Sequence, residues 1–258
     1  MLGKHGEDFI KILRHIKPSK HTYEVFSDWL VMAAAALYSW KKDEKTENEY
    51  GEIAKQYGKE ELEKHSRLLA ITVEALEERE QDFLGEIFAF AELANARNGQ
   101  FFTPYNVSYM SAKMIIDEKS FPKNRICRIN DPTCGSGGML VAGAQVMKEC
   151  GLDYQNDALF IGQDIDARCA RMAYIQLSLL GVPAVIYGMN TLTFQEYWHR
   201  ETIGYHTAGM DFRLRCEKMM EMVNDLEQTK VEQESLPEQP SARANIPLSK
   251  TPIQGELF

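Results

Sequence analysis

No stretch of this sequence is strongly basic. Among its 258 residues, 29 lysines and arginines face 38 aspartates and glutamates, for a net charge of −9. Residues 1–100 carry 14 basic and 19 acidic side chains, residues 101–200 carry 9 of each, and residues 201–258 carry 6 against 10. A protein that coats nucleic acid through a cationic surface is thereby excluded, and any DNA contact is local or made with a partner's help. Cysteine is sparse too. The five thiols, Cys127, Cys134, Cys150, Cys169 and Cys216, stand at irregular spacings with no C-x-x-C pair, which argues against both a zinc site and a disulfide framework. They read as reduced, mostly buried groups. The longest apolar run, around Trp29 to Tyr38, is far too short to span a bilayer, and Met1 to Asp8 lacks the basic-then-apolar layout of a signal peptide. The chain therefore reads as cytoplasmic.

What is present is enough apolar material, 44% of residues, to bury a sizeable core in one ordinary domain with a smaller helical one beside it. From Glu7 to about Ala96 apolar residues recur at three and four spacing, as in Ile10, Leu13 and Ile16 and again in Leu69, Val73, Leu76 and Phe83, which predicts helices. Pro18 and Ser19 break the first of them, and the polar stretch Lys41 to Tyr50 turns the chain after Trp40. The cluster Tyr23, Phe26, Trp29, Ala33 and Leu37 reads as helix core rather than as a cofactor box.

After Gly99 the pattern changes. A Gly-Gln-Phe-Phe-Thr-Pro loop precedes a helix over Asn106 to Asp117. Strands at Arg125 to Asn130, Leu159 to Gln163 and Ala184 to Tyr187 then alternate with helices at Gly138 to Lys148 and Ala167 to Leu180, and such alternation predicts a parallel sheet. Beyond Asn190 the sequence suggests helices at Thr193 to His199 and Phe212 to Glu227, with no fourth strand. The domains read as 1–98 helical, 99–228 α/β and 229–258 a flexible polar tail.

Three positions carry chemistry. Asp131-Pro132-Thr133-Cys134-Gly135-Ser136-Gly137-Gly138 falls where a strand gives way to a helix, so bare backbone and free helix N–H groups can meet a small polar ligand, although such turns also serve packing alone. Gly162-Gln163-Asp164-Ile165-Asp166 puts a carboxylate at the end of the second strand, where it can accept from both hydroxyls of a ribose. Asp166 is the better candidate to cap the following helix, which leaves Asp164 for the ribose. Gly188-Met189-Asn190-Thr191-Leu192 ends the third strand with an amide where the base of a nucleoside would lie; by itself it is a plain turn.

Together, the Phe-Phe-Thr-Pro loop, the Asp-Pro-Thr-Cys-Gly-Ser-Gly-Gly turn, Gly-Gln-Asp-Ile-Asp and Asn190-Thr191-Leu192 occur in the order found in type I modification subunits, so the chain resembles the N6-adenine DNA methyltransferase family over Gly99 to Leu192. The resemblance implies a Rossmann-like, S-adenosylmethionine-dependent methyltransferase fold with a short sheet and a helical N-terminal domain. It also implies that Phe102, Thr103, Pro104, Asp131, Gly135 and Gly137 hold S-adenosylmethionine, that Asp164 takes its ribose, and that Asn190 lies near its adenine. The implied substrate is adenine in DNA, reached with a partner subunit.

One departure from the family is plain. Its members methylate a flipped adenine with an Asn/Asp-Pro-Pro-Phe/Tyr tetrapeptide, in which polar acceptors orient the amino group and an aromatic ring stacks on the base. No Pro-Pro occurs in this chain. Asn130-Asp131-Pro132 belongs to the glycine turn, and Asn245-Ile246-Pro247-Leu248 lies in the tail. The aromatic segment Tyr197 to Tyr205 stands where the catalytic region begins. Catalytic residues are therefore unassigned, and two readings stay open: a methyltransferase, alone or with a partner, and a non-catalytic S-adenosylmethionine-binding accessory protein. The tail's Gln254-Gly255-Glu256-Leu257-Phe258 resembles the peptide by which bacterial proteins dock on the DNA polymerase sliding clamp, which implies that Gln254, Leu257 and Phe258 bind that partner.

Overall fold

The computed structural model describes residues 2–90, 102–117, 125–219 and 221–222. The helical segment opens with α1 (Lys4–Arg14), α2 (Thr22–Tyr38), α3 (Glu44–Ala54), α4 (Lys59–Glu78) and α5 (Phe83–Phe90). Each start has a local cause. Asp43 accepts the Thr46 N–H to cap α3, which begins well inside the stretch Lys41 to Tyr50 that the sequence suggested as a turn. Glu61 reaches back to the Gly58 N–H at 2.8 Å to fix the start of α4. The expected aromatic core is present: Phe26 and Trp29 are buried, and Phe9 stands edge-on to Trp29 at 5.1 Å and to Phe83 at 5.8 Å.

After α6 (Tyr105–Ile115), strands β1 (Cys127–Asp131), β2 (Ala158–Asp164) and β3 (Ala184–Asn190) pair in parallel in the order β1-β2-β3. Helix α7 (Gly138–Glu149) connects the first two, with the short α8 (Tyr154–Asp157) behind it, and α9 (Ala167–Leu179) connects the second and third. The anticipated spans agree to within a few residues, because the strands are short apolar runs and the helices between them keep a helical period.

The sheet corrects one expectation. Residues Thr193 to His199 are not helical; Gln195–Glu201 is a fourth strand, β4, antiparallel to β3. Asn190 Oδ1 accepts from the Leu192 and Thr193 N–H groups, and Phe194 takes a left-handed φ of 57°, so the chain reverses directly after β3. Alternation then separates the faces of β4. Trp198 and Arg200 point inward, Trp198 edge-on to Tyr174 at 5.9 Å, while His199 lies beside its cross-strand partner Tyr187. Arg200 is buried and anchors the strand to the helical segment, donating to the Ala34 carbonyl at 3.0 Å, to Thr46 Oγ1 at 2.9 Å and to Glu49 at 3.2 Å.

One apolar cluster runs from α1, α2, α4 and α5 through α7 and α9 to the sheet, so residues 1–215 form one compact unit with a shared core. On the sheet's other face a smaller cluster of Ile126, Leu159, Val185, Tyr205 and Met210 is covered by α10 (Ile203–Thr207) and residues 210–215. The second unit begins at Cys216, and residues 216–219 and 221–222 are helical, in line with part of the helix anticipated from Phe212. Among the described residues no helix is long and apolar enough to cross a membrane.

Candidate functional site

At the carboxyl ends of β1, β2 and β3 lies a cavity of about 650 Å³, where open parallel sheets place their ligands. Phe102, Thr103, Asp131, Gly135, Asp164 and Asn190, six of the eight residues anticipated at a cofactor site, line it. Gly137 and Pro104 stand just outside. A Cβ on Gly137 would sit 3.1 Å from the Ala173 Cα, and its φ is 90°, so this glycine lets α7 start close against α9. Pro104 precedes α6 as its N-cap residue.

The glycine turn is built by its own backbone. Asp131 Oδ1 accepts the Thr133 N–H at 3.1 Å, and the Cys134 N–H reaches across to the Gln163 carbonyl on β2 at 2.8 Å. Gly135 has φ 55°, and the Phe102 ring rests where its side chain would be, 3.3 Å from an ideal Cβ. Phe102 in turn packs edge-on against Phe88 at 5.4 Å, which ties the Phe-Thr-Pro loop to α5. Asp166 caps α9 by accepting the Arg168 N–H at 2.9 Å, as anticipated. Asp164 spans the junction: one oxygen accepts from Gly135 and the other from Asp166.

Sequence reasoning missed the far wall. Asp82 lines the cavity although it lies 49 residues before Asp131 in the chain. It accepts the Gly85 N–H at 3.0 Å at the start of α5, the Gln176 side chain at 2.9 Å and the Ser136 hydroxyl at 2.5 Å. Gln176, fully buried in α9, also donates to the Ser136 carbonyl at 2.8 Å and accepts from the Leu84 N–H at 3.0 Å. Three elements are thus joined by one satisfied polar network. The available signal was Asp82-Phe83-Leu84-Gly85, an aspartate one residue before an apolar run, which is a helix-start pattern.

Burial grades along the cavity. Asp82, Ser108, Cys134 and Ser136 are buried at its inner end, whereas Ile165 and Leu192 are 66% and 92% exposed at its mouth. Burial raises Asp82, Asp131 and Asp164 above the usual carboxylate range. It also pushes the Cys134 and Cys169 thiols up, so both are protonated at neutral pH and are poor nucleophiles. Three carboxylates face the cavity and no lysine, arginine or histidine does among the described lining residues. Among the described residues no cluster of His, Cys, Asp or Glu suits a metal ion.

A glycine-rich turn between a parallel strand and a helix, with a carboxylate ending the next strand, defines a Rossmann-like type of α/β protein. The chain belongs to the N-6 DNA methylase family, whose family model matches residues 79–232. It is 30% identical over 110 residues to the type I restriction enzyme MjaIX methylase subunit of Methanocaldococcus jannaschii, a match covering 41% of this chain and 18% of that protein. Two solved structures are also similar. The type I restriction-modification methyltransferase subunit of Streptococcus thermophilus is 14% identical with a TM-score of 0.35, over 70% of this chain and 55% of that one. A protein of Listeria monocytogenes described as a class I S-adenosylmethionine-dependent methyltransferase is 15% identical with a TM-score of 0.40, over 71% and 52%. The chain thus spans less than a fifth of the curated relative and about half of each solved one. Gln254, Leu257 and Phe258 lie outside the described residues.

Proposed function

We propose that this cavity binds S-adenosylmethionine and that the chain serves methylation of adenine N6 in DNA together with a partner subunit. The observation that carries the reading is the charge of the cavity: three carboxylates and no basic side chain among its described lining residues, beside a glycine cradle. Such a lining disfavours polyanionic ligands such as nucleotide phosphates and suits a nucleoside whose net charge is positive. The sulfonium of the cofactor supplies an activated methyl group. In this reading Asp164 accepts from the ribose hydroxyls while its backbone partners hold it in place. Ile165 and Leu192, apolar and exposed at the mouth, flank the adenine ring. Asn190 Oδ1 shapes the turn that presents Leu192, and Phe102 closes the side of the cavity over Gly135.

The target adenine and the partner subunit follow from family membership and from what the curated relative's name states of that relative. Because no Pro-Pro occurs in the chain, the groups that orient the target amino group are sought in the aromatic segment Tyr197 to Tyr205 or in a partner. Clamp docking by the tail peptide rests on its sequence alone.

Calorimetric titration with S-adenosylmethionine tests the first part, comparing wild type with Asp164→Ala and Gly135→Val. Methyl transfer to unmethylated DNA, with and without candidate specificity subunits, tests the second. Saturable binding lost in both variants, with methyl on adenine N6, is the expected result. Binding without transfer under any partner condition would assign the accessory role instead, and absence of binding by the wild type would end the cofactor reading.

A further inference from the structure

The pairing of β3 with β4 shifts register at Gly188 and Met189. Gly188 pairs with Trp198 and Met189 with Glu196, so Tyr197 is the extra residue of a β-bulge. A bulge interrupts the alternation of side chains and re-aims the one it carries. Here it lays the ring of Tyr197 across β3. The ring lies on the bare backbone of Gly188, where a Cβ would stand 2.5 Å from it, and Gly188 is also the β3 partner of Asp164. The hydroxyl thereby reaches the end of β2 and donates to the Ile165 carbonyl at 2.8 Å, with the Asp164 carbonyl 3.4 Å away. A side chain at position 188 would lift the ring off this path.

The main chain held in this way is the stretch that ends β2 at the cavity. The Asp164 carboxylate is fixed by the N–H groups of Gly135 and Asp166, and Tyr197 fixes the main-chain oxygens beside it. Ile165 is 66% exposed, so side-chain packing does little to hold it. A backbone that presents an exposed apolar group to a flat ring binds better when it is immobilised before the ligand arrives. We propose that Tyr197 is a positioning residue for the nucleoside end of the ligand, acting through the main chain of Asp164 and Ile165, with Gly188 as the position that admits its ring. The inference rests on the cofactor reading above and gives β4 a part in the site. It also sets Tyr197 a task other than stacking on a target base, since its ring is committed to Gly188 and its hydroxyl to Ile165.

The test is calorimetric titration of the full chain with S-adenosylmethionine and with 5′-methylthioadenosine, which keeps the nucleoside and lacks the amino acid, beside hydrogen exchange of the unliganded protein. Tyr197→Phe is the deciding variant, because it keeps the ring on Gly188 and removes the hydroxyl alone. Tyr197 is 47% exposed, so water takes over at the Ile165 carbonyl and the thermal midpoint stays unchanged. Affinity for both probes is expected to fall by the same factor, roughly two- to tenfold, the value of one hydrogen bond. Amide exchange is expected to quicken over residues 164–167 and not in the rest of the sheet. Gly188→Ala displaces the ring by a different route and is expected to lower both affinities by a larger common factor. An unchanged affinity in Tyr197→Phe, a loss for S-adenosylmethionine alone, or a loss accompanied by a lowered midpoint would overturn the positioning role while leaving the cofactor reading standing. If the wild type binds neither probe, the cofactor reading itself fails and this inference falls with it.

Discussion

Asp164 Oδ2 accepts the backbone N–H of Gly135 at 2.9 Å, and Oδ1 of the same side chain accepts that of Asp166 at 2.8 Å. One carboxylate therefore fastens the glycine turn after β1 to the end of β2, two parts of the chain 29 residues apart. The group proposed to meet the ribose also builds the wall the nucleoside rests on. Asparagine cannot do both jobs, since its amide nitrogen would face one of the two N–H donors. Asp164→Asn is expected to lower unfolding stability by about 1–3 kcal/mol, the cost of a buried donor left unpaired, and to abolish measurable S-adenosylmethionine binding. Chemical denaturation and calorimetry read the two effects, and an unchanged denaturation midpoint would show that the turn stands without this carboxylate.

Gly85 and Gly51 make a matched pair of helical glycines. A Cβ on Gly85 would lie 2.2 Å from Asp82 Oδ2 and 2.5 Å from Ser136 Oγ, while one on Gly51 in α3 meets nothing within 4 Å. Gly85→Ala is expected to destabilise by roughly 1–3 kcal/mol as the packed network is forced apart and to impair the cavity it borders. Gly51→Ala is expected to stabilise by about 0.5–1 kcal/mol through helix propensity. Thermal melts of the two variants should move in opposite directions.

The raised carboxylates set a pH dependence for ligand affinity. Binding of a cation favours ionised Asp82, Asp131 and Asp164, so below their raised pKa values binding must first release protons. Affinity for S-adenosylmethionine is expected to fall as pH drops through the raised pKa values of these groups, by up to about tenfold per pH unit for each group that must ionise. The unliganded protein has the opposite sign from these three groups. The folded state binds the more protons between the ordinary and the raised pKa, so their contribution to stability grows as pH falls through that window. Titrations from about pH 5 to pH 8, beside denaturation curves at the same pH values, separate the two. An affinity flat with pH would contradict the cationic-ligand reading.

His65 works in the other direction. It is buried in α4 behind Trp29, whose indole N–H donates to the His65 carbonyl at 3.1 Å, and neither ring nitrogen has a partner among the described residues. Burial lowers its pKa to about 4. In the unfolded chain it titrates near the usual value of about 6.5, so between the two values the unfolded state binds the extra proton and stability falls as pH falls. The loss approaches about 3 kcal/mol at the acid end. His65→Leu is expected to flatten this part of the pH–stability profile, and an unaltered slope would locate the acid lability elsewhere.

Much of the architecture was legible in the sequence. Three parallel strands and their helices announce themselves because each is a short apolar run or a periodic segment bounded by glycine, proline or a capping residue. Asp166 as the cap of α9 followed from its position alone. The fourth strand was not legible, since Gln195-Glu196-Tyr197-Trp198-His199 is polar and aromatic rather than aliphatic, and its strand state depends on pairing with β3 and on burial of Arg200 against α2 and α3. The site divided in the same way. Asp131, Gly135 and Asp164 were found because strand ends and glycine turns are local signals, whereas Asp82 and Ser108 reach the cavity only when α5 and α6 pack beside the turn.

By itself the sequence determined the family, the order of the strands along the chain, the glycine turn and the carboxylate that ends β2, all of which depend on interactions within a few residues. Only the tertiary structure decided that the helical segment and the sheet share one core, that Gly137 serves helix packing rather than the cavity wall, and that a buried aspartate and a buried serine stand at the cavity's inner end. Those features rest on contacts between residues far apart in the chain, and neither hydrophobic period nor local propensity carries information about them.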